Sequence, residues 1–239
     1  MKKFKLFKNR TMVLLVAAIV LLFGSAIGST RAALTYYSEN YVAGIQTSSI
    51  DVSLVENGVS TDALLAGMLG ENEKLVLGKS YTEEISVANT GSIDSYVRVV
   101  LTKSWKGPNG DDALVKDTTL DPEMIELNLL TGNGWFIDES ASTEERTVLY
   151  YANVLSAGGV TPALSDTIKI NPNIGKMVIQ SVKEDENGTT ITYVHEYDGY
   201  SFSIEAEVNA VQTHNAQTAI KSAWGIDVNV AEDGSLSLS

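Results

Sequence analysis

Apolar residues recur at every second position through most of this chain, a spacing that suits a pleated strand with one buried face and does not suit a helix. Ile50, Val52 and Leu54 alternate with polar neighbours, as do Ile85 and Val87, then Val97, Val99 and Leu101, then Ile125, Leu127 and Leu129. The runs TVLYYANVL (147–155), KMVIQSV (176–182), TTITYVHEY (189–197) and YSFSIEAEVNAVQ (200–212) read the same way. Asn187-Gly188 and Asp198-Gly199 separate the last three and are tight-turn dipeptides, so those runs are expected to form a meander. The prolines, at 108, 122, 162 and 172, fall between runs or at their starts, where a missing backbone donor costs least. Many short strands with turn residues between them and no alternating helices predict an all-β fold, an antiparallel sandwich of the jelly-roll kind.

One segment departs from this period. In NAQTAIKSAWG, Ala216, Ala219, Ile220, Ala223 and Trp224 fall on one helical face, with Asn215 placed to cap the start and Gly225 the end. TDALLAGMLG (61–70) fits either a second short helix or a packed loop. Both are expected to cover an end or edge of the sandwich.

The amino terminus has its own logic. Lys2, Lys3, Lys5, Lys8 and Arg10 precede a run from Met12 to Ile27 that is apolar apart from Gly24 and Ser25. That run is short of the ~20 residues a spanning helix needs, and small residues (Gly28, Ser29, Thr30, Ala32) follow it. We read residues 1–32 as a secretory signal helix cut between Ala32 and Ala33, leaving 33–239 as one β domain; a retained membrane anchor is the alternative. Cleavage removes six of the 17 basic residues and none of the 30 acidic ones, leaving 11 against 30, near −19. Such a charge repels nucleic acid and anionic lipid, so no nucleic-acid partner is expected, and membrane association only before cleavage. The absence of cysteine from an exported chain suggests a Gram-positive or similar cell and removes thiol catalysis and thiolate metal sites.

The residues give no positive case for an enzyme or a cofactor. Only His195 and His214 are present, whereas a catalytic zinc normally takes three protein ligands. His195-Glu196 begins an HExxH pattern but Gly199 stands where the second histidine belongs, in strand-like surroundings. The acidic clusters Asp111-Asp112, Asp138-Glu139 and KEDENG (183–188) match no EF-hand spacing and read as solvated turns, although calcium is compatible with so acidic a chain. No G-x-S-x-G elbow or glycine-rich phosphate loop occurs. Core packing accounts for Trp135, Phe136, Tyr150 and Tyr151, but Tyr36, Tyr37 and Tyr41 sit on a newly made terminus.

After the cut the chain would begin ALTYYSENYVAGIQTSSIDVSL. Leu34 and Tyr36 share one phase, Tyr41, Ala43 and Ile45 the other, with slips near Glu39-Asn40 and Thr47–Ser49. Such a leading strand either folds back on its own sheet or pairs with an open sheet edge of a second copy; the latter contact is head to tail and, unless it closes, makes a filament.

The order of motifs resembles the TasA and camelysin family of exported biofilm-matrix proteins, which are matured by a SipW-type signal peptidase. The likeness is carried by the basic and apolar start followed by GSTRAALTYYSENYVAGIQTSSIDVSLVENG, by VANTGSIDSYVRVVL (87–101), by YYANVLSAGGVTPAL (150–164) and by EAEVNAVQTHNAQTAIKSAW (205–224). It implies a jelly-roll domain, secretion to the cell surface or matrix, and fibres assembled by donation of the N-terminal strand, residues 33–46, to the next subunit. Leu34, Tyr36, Tyr41 and Ile45 would then fill pockets in the acceptor. The chain itself, an accessory matrix protein and the peptidase are the partners so implied. Camelysin-like members are also catalogued as zinc metallopeptidases, but no zinc motif stands in this sequence; a membrane-anchored surface domain that binds a ligand is the remaining alternative.

Overall fold

The computed structural model describes residues 49–71, 73–108, 114–185 and 188–239, all within the unit Ser48–Ser239. The expected cut at Ala32 and Ala33, the donor residues Leu34, Tyr36, Tyr41 and Ile45, and the Asp111-Asp112 pair lie outside the described residues. The alternating runs become antiparallel strands: β1 (Val52–Glu56), β2 (Val59–Ser60), β3 (Ser80–Thr82), β4 (Ile85–Asn89) and β5 (Ser95–Pro108) come first. They are followed by β6 (Leu114–Asp117), β7 (Ile125–Leu129), β8 (Trp135–Ile137), β9 (Arg146–Tyr151) and β10 (Ser165–Ile170). The chain ends with β11 (Val178–Asp185), β12 (Gly188–His195), β13 (Ser201–Gln212), helix α1 (Ala216–Trp224), β14 (Val228–Val230) and β15 (Leu236–Leu238).

Two walls face each other. One is the sheet β13-β5-β9-β8, with β6 also on β5. The other joins β2-β1-β4 to β3-β10-β7, because Leu164 N–H donates to Ile85 O at 2.7 Å, Thr161 N–H to Val87 O at 2.8 Å and Glu83 N–H to Asp166 O at 2.8 Å. Between the walls Val97, Val99, Leu101 and Leu149 pack against Ile85, Val87, Ile125 and Ile168, all buried. The opposite side of the first wall is covered too: Tyr96, Val148, Tyr150 and Val211 lie under Ile220 and Trp224 of α1 and under Val228 and Leu236. Each such side chain contributes roughly 1.5–3 kcal/mol when taken from water. Burial on both faces explains why β5 is apolar in both phases.

Three expectations need correction. β12 and β13 do not continue as a meander. β11 and β12 pair with each other alone among the described residues, with Ile179, Val182, Ile191 and Tyr193 exposed, whereas β13 pairs with β5 along its whole length. The physical reason is burial, because Phe202, Ile204 and Val208 reach the core from β13 while every residue of β12 is exposed. Asn215 starts α1 but its side chain makes no capping hydrogen bond, since its own backbone is left-handed at φ 51°. Asp138 is buried, not solvated: its carboxylate accepts from Ser140 N–H, Ser140 Oγ and Ala141 N–H, tying down the 138–142 turn. At the helix end Gly225 does cap, at φ 75°, donating to Lys221 O. Residues 61–70 form turns, with Leu64, Leu65, Met68 and Leu69 packed on the core.

Candidate assembly groove

The N-T-G turn after β4 builds one side of the site. Asn89 is 1 % exposed; its Nδ2 donates to Ile93 O and Leu155 O, and its Oδ1 accepts from Gly91 N–H. These bonds fold the chain sharply, and the turn in turn grips the start of the domain. Thr90 N–H and Gly91 N–H both donate to Asp51 O, Ser92 N–H to Ser49 O, and Ser49 N–H to Ser92 Oγ. The backbones approach so closely that a Cβ on Gly91 would lie 2.4 Å from Ser49 O, so only glycine fits. Ile50, Asp51 and Val52 are thereby held as one wall of a groove of about 550 Å³.

The opposite wall is Glu207 to Ala210 of β13. β13 is an edge strand: β5 fills one side, and among the described residues no strand pairs with the other. Among the described residues β1 is also open there, because on the side away from β4 it meets β2 only at Val55 and Glu56, with Thr61 N–H donating to Leu54 O. The two strands come within 8 Å of each other at their nearest. A strand bonded to both edges needs two interstrand spacings, about 9.6 Å. A strand bonded to both edges therefore does not fit between them, and of the two β13, twelve residues long, presents the longer row of backbone groups.

The end of the groove is set by Arg98 and Trp224. The Arg98 guanidinium lies 5.4 Å from the Trp224 ring centre, and its Nε and Nη2 donate to Asn209 Oδ1 at 3.0 and 2.6 Å. Asn209 Nδ2 passes the chain of bonds on to Glu207 Oε1 at 2.9 Å. Tyr150, beneath Trp224, has its phenol held above the ordinary range by burial, which Arg98 opposes. The arrangement orders the groove side chains through one chain of hydrogen bonds, Arg98 to Asn209 to Glu207.

His195 and His214 lie on separate exposed elements, the end of β12 and the turn before α1. His195 borders a second, apolar cleft beside Trp105, Tyr197, Tyr200 and Phe202. Among the described residues no group of three or more His, Asp or Glu side chains could hold a metal ion. Sequence reasoning missed Asn89, Arg98 and the open edge of β13; the N-T-G triplet itself was the one available signal, since an asparagine two residues before a glycine marks a side-chain-closed turn. No family model matches the chain, and no curated protein matches it.

Proposed function

We propose that this chain is a secreted structural subunit of an extracellular biofilm-matrix fibre of the TasA and camelysin kind, with its β walls arranged as a jelly roll. A SipW-type peptidase cuts between Ala32 and Ala33, and residues 33–46 of one subunit lie along the β13 edge of the next. The observation that carries the reading is that edge, twelve residues long, with the Ile50–Val52 wall beside it. At about 3.3 Å per residue it spans ~40 Å, room for either run of the 33–46 segment. Backbone bonds to β13 supply continuity, while Leu34, Tyr36, Tyr41 and Ile45 supply the alternate side chains that enter the groove. The high negative charge keeps unassembled subunits soluble.

The test is electron microscopy of the mature chain, of the same chain lacking 33–46, and of Ala210→Arg, which fills the groove. Filaments from the first and folded monomers from the other two are expected. Filaments of undiminished length from either variant end the proposal.

A further inference from the structure

Glu83 stands between β3 and β4, where one strand bends from one half of its wall to the other, and it is fully buried at 0 % exposure. Neither oxygen of its carboxyl finds a hydrogen-bond donor among the described residues, although its backbone is well tied: its N–H donates to Asp166 O and its carbonyl accepts from Ser165 Oγ. The group that faces it is the carboxyl of Glu56, the last residue of β1, itself 8 % exposed. Glu56 Oε1 accepts the backbone N–H of Leu65 at 2.6 Å, the tether between this pair and loop 61–70 above it. Leu65 holds a left-handed φ of 68°, a strained conformation for a residue with a Cβ. That loop has no strand or helix of its own, and it covers the core with Leu64, Leu65, Met68 and Leu69.

Among the described residues nothing nearby neutralises two buried carboxylates. Glu84 and Asp62 are exposed, and the Asp166 carboxylate is engaged with Asn128 and Thr167. No basic residue occurs between Glu56 and Glu73. Two adjacent buried carboxyls without a cation cannot both ionise, so one of them carries a proton and donates it to the other.

We propose that Glu56 and Glu83 share a single proton that latches loop 61–70 over the core, and that losing it releases the loop. Burial, reinforced by the neighbouring Glu56, raises the Glu83 carboxyl to about 8. Above that point the paired negative charges repel, and the relief is to lift the loop, which has no ladder pairing and is tied to the pair itself through the strained Leu65, besides the Thr61 N–H bond to Leu54 O at its start. Lifting it uncovers four apolar side chains and admits water to the pair. The device is independent of the fibre reading.

The test follows the full chain by NMR from pH 6 to pH 9.5. The Glu83 carboxyl carbon should titrate with a midpoint near 8, and the exchange protection of the Leu65 amide should fall at least tenfold across the same range. In Glu83→Gln, an uncharged carboxamide that still donates to Glu56, Leu65 protection should stay constant. A Glu83 midpoint in the usual carboxylate range overturns the proposal, as does Leu65 protection that is level in the unaltered chain. A shift of the Glu83 carbon on adding calcium at pH 7 would also overturn it, replacing the proton with a cation.

Discussion

Asn89 and Leu155 are joined across 66 residues by a 3.0 Å hydrogen bond from the Asn89 amide to the Leu155 carbonyl. Leu155 O also accepts from Ser95 N–H, so one carbonyl ties the end of β4, the start of β5 and the segment after β9. The Asn89 side chain thus closes a local turn and a long-range contact at once.

Replacing Asn89 by alanine removes three hydrogen bonds from a buried site, although Gly91 N–H keeps Asp51 O, Ile93 O keeps Ser95 Oγ and Leu155 O keeps Ser95 N–H. A loss of about 2–4 kcal/mol is expected. Urea denaturation checks it, with a lower midpoint at unchanged slope.

Gly91→Ala puts a methyl group against the Ser49 and Asp51 backbone, with the Asp51 nitrogen only 2.7 Å from the point the methyl carbon would occupy. The turn must open, breaking its bonds to Asp51 O. Amide exchange at Thr90 and Ser92 should quicken more than tenfold while β9 and β10 keep their protection.

Stability should depend on pH with a definite sign. The folded Glu83 carboxyl sits near 8, far above the 4.5 of an unhindered glutamate. Between those values the folded state keeps a proton that the unfolded state has lost, so stability falls as pH rises, by at most ~1.4 kcal/mol per unit, and levels off above 8. At the acid end Asp117, Asp166 and Asp233 are held below the usual range, mainly by side-chain hydrogen bonds from Thr119, Asn128 and Ser235 respectively, and their contribution disappears as pH drops through their folded values. Urea midpoints from pH 3 to 9 should therefore peak on the mildly acidic side, and Glu83→Gln should flatten the alkaline limb.

Ile220→Ala tests the second core. Ile220 is fully buried between α1 and the outer face of β5 and β9, so the change should cost about 2–5 kcal/mol. It should also loosen Trp224 from Tyr150, reducing the near-UV circular dichroism of the aromatic cluster.

The strands were legible because alternation reports which side chains share a face. Val97, Val99 and Leu101 face one core and Tyr96 and Val100 the other, as their spacing requires. Alternation does not name the neighbour, which is why β13 went to β5 and not to β12: partner choice depends on apolar area summed over both walls, a long-range quantity. The helix followed from its own period, yet its cap did not, because Asn215 spends its conformation on the turn. Residues 61–70 stayed ambiguous since Leu64, Leu65, Met68 and Leu69 suit a helix face and a loop packed by its own side chains equally well. The carboxyl pair was invisible for a similar reason, as Glu83-Glu84 looks like any charged doublet until the strand bend turns one residue inward and leaves the other in water. For the groove, residue spacing could suggest a donor, but which edge is unpaired among the described residues was decided by how the β13–β5 pairing ends the sheet.

The grip of the N-T-G turn on Ser49 and Asp51 has a mechanical consequence. A pull applied at Ser49 along the axis of β1 would load the five β1–β4 pairings from Val52–Asn89 to Glu56–Ile85 together in shear instead of peeling them one by one. The clamp at Gly91 and Ser92 shares that load before the ladder does. A domain tugged by its leading segment would resist extension best in this geometry.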